Sequence, residues 1–294
     1  MKFKTILPYI YVFITSALLS SSALASYNQD TNHKKTIKFE LIDSLSTKTE
    51  TQYDLKKTAE NKALELVTNY INNAVNGAKR IIDSKKKTGY LSAVRKELPG
   101  APVNAKHGTL HCLYGQYTQL NRALDQMGDT IQIIPCTKNA HMATNSFKQQ
   151  MTKLYDNSEY PNSIHSGHLY TNETEYNIAL DKYLSAKTKN ATGNIDSLIT
   201  KHTEDFEKNH FCASQLNPGS IIIVSSGHAI MYLGTGKIEN GQFVPDDNGS
   251  AICCGYNREQ PAISLETYNT DKAFAADIQN IATQKYYAML IKTH

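Results

Sequence analysis

The chain has 294 residues with 31 Lys and Arg against 27 Asp and Glu, and hydrophobic residues make up 40% of it. That apolar fraction excludes wholesale disorder, and the length suffices for one large domain or for one domain with an attached helical segment. The net charge of only +4 excludes a strongly basic nucleic-acid binder, so we expect no nucleic-acid partner.

The first residues have the pattern of an export signal, which we assign to 1–25. Lys2 and Lys4 precede an apolar stretch, and Ala23 and Ala25 supply the A-x-A motif that signal peptidase reads. We therefore expect cleavage after Ala25 and an exported protein, in the periplasm or outside the cell. No later segment has the roughly 20 apolar residues of a membrane span, so we expect no stable membrane insertion.

The next part of the sequence predicts helices. Apolar residues recur every three or four positions from 53 to 83, which indicates an amphipathic helix that packs on a core. The polar stretch 84–89 is predicted to break it, and a short helix follows over 90–98. We assign residues 26–100 to an N-terminal extension built around the long helix.

Residues 101–294 are expected to form the main domain. Within it, 130–210 is a polar insert with a loop over 160–168 and surface helices at 173–187 and 195–210. Helices thus come first and neighbouring strands follow, an order that predicts an α+β fold and not alternating βαβ units. The later elements are predicted as strands at 221–224, 229–233 and 251–256, a helix at 270–283 and a closing strand at 286–291.

Cys112 lies where a loop-like stretch changes to helical spacing. Apolar residues follow it at helical intervals up to Leu124, and Gly128 stands where a glycine stop is expected. The N–H groups and dipole at a helix N-terminus favour a thiolate, so we expect a lowered thiol pKa and assign Cys112 as a nucleophile. The alternative is a small buried residue at a helix start.

His228 follows Gly227 at the start of a predicted strand. Alternation places His228 on one face of that strand with Ile230 and Tyr232. An imidazole there could reach a thiolate on a helix packed against the sheet, so we assign it as the general base. The alternative is a capping histidine or one satisfied in the interior.

A third group has to orient the imidazole. Asn257 follows the apolar run of the next strand, and its side chain could accept a hydrogen bond from the ring. Asp247 and Asn248 are rivals in a turn-like segment, but orienting groups act best from rigid elements. The sequence therefore predicts a triad of Cys112, His228 and Asn257.

The five cysteines are an odd number, which leaves at least one outside any intramolecular pair in an oxidising compartment. Cys136 and Cys212 remain as a disulfide pair once Cys112 is reserved and the adjacent Cys253 and Cys254 are set aside as too strained for mutual bridging. No two cysteines have C-x-x-C spacing, and we expect neither a metal nor a cofactor.

The segment around His228 resembles a known family. Leu-x-Pro-Gly before a strand, then Gly-His-Ala-Ile-x-Tyr-Leu-Gly, is similar to the NlpC/P60 and CHAP branch of the papain-like cysteine peptidases. The helix that starts near Cys112 and carries Asn121-Arg122, and the Gly-Tyr that precedes Asn257, are similar to CHAP proteins. The resemblance implies a papain-like fold, in which the nucleophile helix packs on an antiparallel sheet.

Some positions depart from the family pattern. His111 stands where the family usually has Asp before the cysteine, and Ser220 replaces the Asp of a Pro-Gly-Asp turn. No Gln or Tyr just upstream offers an oxyanion donor. The candidates are Asn104, His107 and the backbone N–H of Cys112.

The resemblance implies an exported cysteine hydrolase that cleaves amide bonds in peptidoglycan peptides, with Cys112 as nucleophile, His228 as base and Asn257 as orienter. The same triad would serve a secreted cysteine protease, deamidase or acyltransferase toxin that acts on a host or competitor protein, with an immunity or host protein as partner. A third interpretation is a non-catalytic binding module, which a disulfide at Cys112 would favour.

Overall fold

The structure, a computed structural model, describes residues 46–101, 109–129, 140–155, 164–225, 227–256 and 260–293. The chain divides into two compact units, residues 1–55 and 56–294, and of the first unit only the helical residues 46–55 are described. The export signal predicted at 1–25 lies outside the described residues. Within the described part of the chain, no helix combines the length and apolar character of a membrane span.

The helices that precede the sheet are α1 (Ser46–Thr88), α2 (Tyr90–Glu97), α3 (Thr109–Gln126) and α4 (Ala140–Tyr155). The predicted break at 84–89 was wrong for 84–88, which continue α1. Three lysines in its last turn complement the negative end of the helix dipole. Gly89 separates α1 from α2, with a φ of 79° that favours glycine. The predicted helix at 90–98 is confirmed as α2.

Within the insert, α4 is followed by β1 (Ile164–Tyr170), α5 (Glu173–Thr188) and α6 (Ile195–Glu207), and β2 (His210–Cys212) begins at the last residue of the insert. Both predicted surface helices are confirmed. The side chains of Asn172 and Asn194 cap them by accepting hydrogen bonds from backbone N–H groups in their first turns. The loop predicted over 160–168 was wrong from Ile164 onward, because those residues pair with a later strand.

The remaining elements are β3 (Ile221–Ile223), β4 (Ala229–Glu239), β5 (Gln242–Pro245), β6 (Ser250–Cys254), β7 (Ala262–Ser264), β8 (Ala273–Ala276) and α7 (Ile278–Lys292). The predicted order of a helix and then a closing strand was wrong. An alanine-rich run resembles a helix in composition, but Ala273–Ala276 is a buried strand. The helix begins after Asp277, whose carboxylate accepts hydrogen bonds from the N–H groups of Gln279 and Asn280.

The strands form one mixed sheet in the order β2-β1-β8-β3-β4-β6-β7. The strand β5 is not part of this order and pairs with β4. β1 and β2 are parallel, and the other pairs are antiparallel. The α+β class predicted from the order of elements is confirmed.

The two faces of the sheet belong to two different core clusters. The first cluster joins one face to α1, α2, α3, α4 and α7, and the second lies on the other face, where Leu265 and Tyr268 cover it. Alternate residues of β4 divide between them. Ala229, Met231 and Leu233 belong to the first cluster, and Ile230 and Tyr232 belong to the second.

Candidate functional site

Helix α3 brings Cys112 against the sheet. Cys112 is the fourth residue of the helix, and its side chain is fully buried in the first core cluster. Gly115 allows the close approach, since a Cβ there would lie 2.6 Å from the ring of Tyr256 at the end of β6. Gly128 follows α3 with a φ of 72°, as the sequence predicted.

The sulfur of Cys112 is bonded to the backbone of the strand that His228 precedes. The N–H of Ala229 donates to Sγ across 3.2 Å. Burial raises the pKa of the thiol to about 11, and hydrogen bonds from the N–H groups of Ala229, Leu113 and Cys112 offset only part of that effect. The expected lowering of this pKa was therefore wrong, because desolvation outweighs the helix terminus.

The sulfur occupies a gap in the β4–β6 ladder. Met231 pairs with Cys254, so one further rung would pair Ala229 with Tyr256. That rung is not formed. The Ala229 N–H bonds the sulfur, and the Tyr256 carbonyl accepts a hydrogen bond of 3.4 Å from the hydroxyl of Tyr90. The side chains of Cys112 and Tyr90 thus bond the two backbone groups that would have bonded each other if the ladder had continued.

The imidazole of His228 lies on the other side of β4. Its ring is 5.3 Å from the ring of Tyr268, and a Cβ at Gly255 would lie 3.1 Å from Nε2 and 3.4 Å from the side chain of Ile230. Tyr268 and Ile230 belong to the second cluster, so the predicted alternation is confirmed. Helix α3, however, packs on the opposite face, and catalytic pairing of Cys112 with His228 stays a prediction.

The two rivals of Asn257 are far from the imidazole. Asp247 and Asn248 lie in a turn, where the Asn248 N–H bonds the carboxylate of Asp246. That turn joins β5 to β6 beside Gly236, whereas His228 precedes the other end of β4, roughly 25 Å away at about 3.3 Å per residue. Neither rival can orient the ring from there.

Three predicted site residues lie outside the described residues: Asn257, Asn104 and His107. Gly255, two positions before Asn257, does contact His228. His111 lies in the first turn of α3.

An ionic network around the buried carboxylate of Glu97 joins three helices. Glu97, at the end of α2, accepts hydrogen bonds of 2.6 and 2.8 Å from Arg80 of α1 and one of 2.8 Å from Arg122 of α3. Burial acts to raise the pKa of Glu97, but the two arginines outweigh it and hold that pKa below its ordinary value. Arg122, part of the family resemblance, thus has a structural role.

The described cysteines form no disulfide and are all buried: Cys112, Cys212, Cys253 and Cys254. Cys212 is a thiol packed with Tyr176 and Phe206, so the predicted Cys136–Cys212 bridge is not present. Cys136 itself lies outside the described residues. Within the described ranges, no group of three His, Cys, Asp or Glu side chains is placed to hold a metal ion.

Sequence reasoning missed Tyr90 as a neighbour of the site. Tyr90 follows the predicted break between two helices. That break predicts the start of a helix at Tyr90 but gives no information on whether Tyr90 lies near Cys112. The contact depends on how α2 packs beside α3, and no local pattern records that packing.

The chain matches no family model, and no curated protein and no solved structure is significantly similar to it. The likeness to NlpC/P60 and CHAP proteins therefore depends on the residues around His228, Cys112 and Asn257 alone.

Proposed function

We propose that the protein is an exported cysteine hydrolase that cleaves amide bonds in peptidoglycan peptides. Cys112 would be the nucleophile, His228 the general base and Asn257 the group that orients the imidazole. The hydrogen bond from the Ala229 N–H to the sulfur carries the proposal, because Ala229 is the residue that directly follows His228. A helix start meets a strand start there, as in the papain-like arrangement that the sequence resembles.

The proposed reaction is acyl transfer through a thioester. His228 takes the proton of the Cys112 thiol, the thiolate attacks the amide carbonyl carbon, and His228 passes that proton to the leaving amine. Water then hydrolyses the thioester, which releases the acid and restores the thiol. N–H groups of Cys112, Leu113 and Ala229 already favour negative charge at the sulfur. They are candidate donors to the oxyanion on the attacked carbon, each contributing about 3 kcal/mol if it acts as other oxyanion-hole donors do.

The described arrangement is then a resting state. A thiol with a pKa of about 11 carries almost no thiolate at neutral pH, and the imidazole is directed toward the second cluster. Turnover would require a movement that exposes the sulfur to the substrate. Catalytic hydrogen bonds that form only in the substrate complex are common among enzymes.

One observation favours a non-catalytic binding module as the second candidate. Full burial of Cys112 and its raised pKa are typical of a structural cysteine. In that case Cys112 would serve only to tie α3 to β4.

Incubation of the purified protein with peptidoglycan, followed by mass spectrometry of newly formed amines, distinguishes the two. We expect new amines with the wild type and with Cys253→Ala, a buried cysteine of the second cluster, and none with Cys112→Ala. Equal amine release by Cys112→Ala would refute Cys112 as the nucleophile. No release by any of the three proteins would refute peptidoglycan as the substrate.

A further inference from the structure

Tyr90 is a half-buried side chain beside the buried thiol. It is the first residue of α2, and its hydroxyl donates to the Tyr256 carbonyl. Its side chain packs against the first cluster, which contains the Cys112 thiol. Burial raises the pKa of Tyr90, and the charged form of Cys112 adds to that rise. Tyr90 is therefore partly exposed and reaches one edge of the gap in the β4–β6 ladder through its hydroxyl.

The two ends of α2 are held very differently. At its C-terminal end, Glu97 bonds Arg80 and Arg122, and Val94 is fully buried. At its N-terminal end, Tyr90 follows Gly89, a hinge with a positive φ around which a Cβ would meet nothing within 4 Å. Backbone hydrogen bonds at Gly89 hold the first turn, whereas the ion pairs of Glu97 also hold the last turn.

The hydrogen bond of Tyr90 also acts on the end of β6. The Tyr256 carbonyl accepts this hydrogen bond, while the Ala229 N–H bonds the sulfur. Release of this hydrogen bond would loosen the residues after Cys254, which lie against both α3 at Gly115 and the imidazole at Gly255. The same movement would thus affect both members of the proposed dyad.

We propose that Tyr90 is a positioning residue that closes solvent access to the Cys112 thiol, and that its hydrogen bond to the Tyr256 carbonyl is the latch. This role of Tyr90 rests on the proposed function, because a buried nucleophile has to become accessible when the substrate binds. The latch itself is a property of the fold and can be measured without any substrate.

The test is the rate at which iodoacetamide alkylates each cysteine of the full-length protein at pH 8, resolved by peptide mass spectrometry. Tyr90→Phe removes only the hydroxyl, and Tyr90→Ala also removes the ring. Tyr114→Phe is the matched control, because its hydroxyl donates to the Pro99 carbonyl from α3. Cys212 and Cys254, both buried, serve as internal controls for general loosening.

We expect Cys112 alkylation to rise about fivefold in Tyr90→Phe, the effect of one weak hydrogen bond, and tenfold or more in Tyr90→Ala. Cys212 and Cys254 should keep their wild-type rates, as should Cys112 in Tyr114→Phe. An unchanged Cys112 rate in Tyr90→Ala would overturn the proposal, and so would a parallel rise at Cys254. If the alkylation rates follow this expectation but the protein releases no amine from peptidoglycan, the latch stands and only the proposed substrate is refuted.

Discussion

The backbone N–H of Ala229 bonds the sulfur of Cys112 across 3.2 Å, where a continued ladder would have bonded Tyr256. A helix side chain therefore completes the hydrogen bonding of a strand end. The donor is satisfied, α3 is fixed to the sheet, and the thiol is removed from water. One contact thus links the packing of the fold to the chemistry available to the sulfur.

The first prediction concerns the pH dependence of Cys112 alkylation in the native protein. Because the pKa is raised from 9.0 to about 11, the rate should increase about tenfold per pH unit up to the region of pH 11. At pH 8 the urea-unfolded chain, with an ordinary and accessible thiol, should react at least about 100-fold faster at this position. Site-resolved iodoacetamide kinetics give both rates, and a profile that levels off below pH 8 would contradict the buried thiol.

The second prediction concerns Gly255, which leaves room for the imidazole. A Cβ there would approach Nε2 of His228 to 3.1 Å, so Gly255→Ala should destabilise the fold by about 1–2 kcal/mol as the ring is displaced. In a His228→Ala background the same substitution should cost almost nothing. A double-mutant cycle by urea denaturation measures this coupling. Additive effects would show that the ring and the glycine do not interact.

Helical periodicity predicted most of the helical layer. The apolar repeat in α1 and the spacing after Cys112 in α3 follow directly from 3.6 residues per turn. Composition gave the wrong secondary structure where burial in the sheet determines whether a segment is a helix or a strand. Ala273–Ala276 forms a strand between β1 and β3, and its four residues are buried alternately in the two core clusters. The mixed polar residues of β1 likewise show no strand pattern.

The site was only partly predictable. Alternation correctly placed His228 with Ile230, but the face on which α3 packs is a tertiary property that no strand pattern contains. The thiol pKa was predicted in the wrong direction for a similar reason. A helix N-terminus is visible in sequence, whereas the depth at which it lies is not, and at Cys112 burial has the larger effect.

The third prediction concerns Glu97 and acid stability. Its pKa is held below the ordinary 4.5, so its stabilising effect is present above that pH and is lost as the pH falls through the folded-state value. Glu97→Gln should cost about 2 kcal/mol at pH 7, and the cost should shrink in acid. Urea denaturation at pH 7 and pH 3 measures both. Asp205→Asn, which removes an exposed pair with Lys208, should change nothing measurable.

The fourth prediction concerns Asp277, whose pKa is shifted in the opposite direction to that of Glu97. Burial raises the pKa of Asp277 to about 6, although hydrogen bonds from Asn217 and from backbone N–H groups oppose that rise. Between about pH 4 and pH 6 the folded state therefore holds a proton on Asp277 that the unfolded state has lost. The protonated carboxyl contributes fully to the stability of the fold below pH 4, and this contribution is lost as the pH rises through 6. About 3 kcal/mol of pH-dependent stability follows from a shift of this size.

Asp277→Asn should remove that loss while keeping a good helix cap. The difference in unfolding free energy between the variant and the wild type should then favour the variant more at pH 8 than at pH 4.5. The exposed Asp181→Asn is the control and should show no such change. An identical pH dependence in Asp277→Asn and the wild type would show that this carboxyl does not titrate differently on folding.

The last prediction concerns the group that orients His228. Asp247→Ala and Asn248→Ala should leave amide hydrolysis at the wild-type rate, because their turn lies at the far end of β4 from His228. Asn257→Ala should lower the rate yet leave measurable activity, unlike Cys112→Ala, since an orienter forms no covalent bond and water or a neighbour can partly replace it. Asn257→Asp should move the basic limb of the pH–rate profile upward, because a carboxylate holds the proton on the imidazole. Amine release from peptidoglycan, followed over pH, measures all four variants. Full activity in Asn257→Ala would remove that residue from the triad, and the remote turn could not replace it.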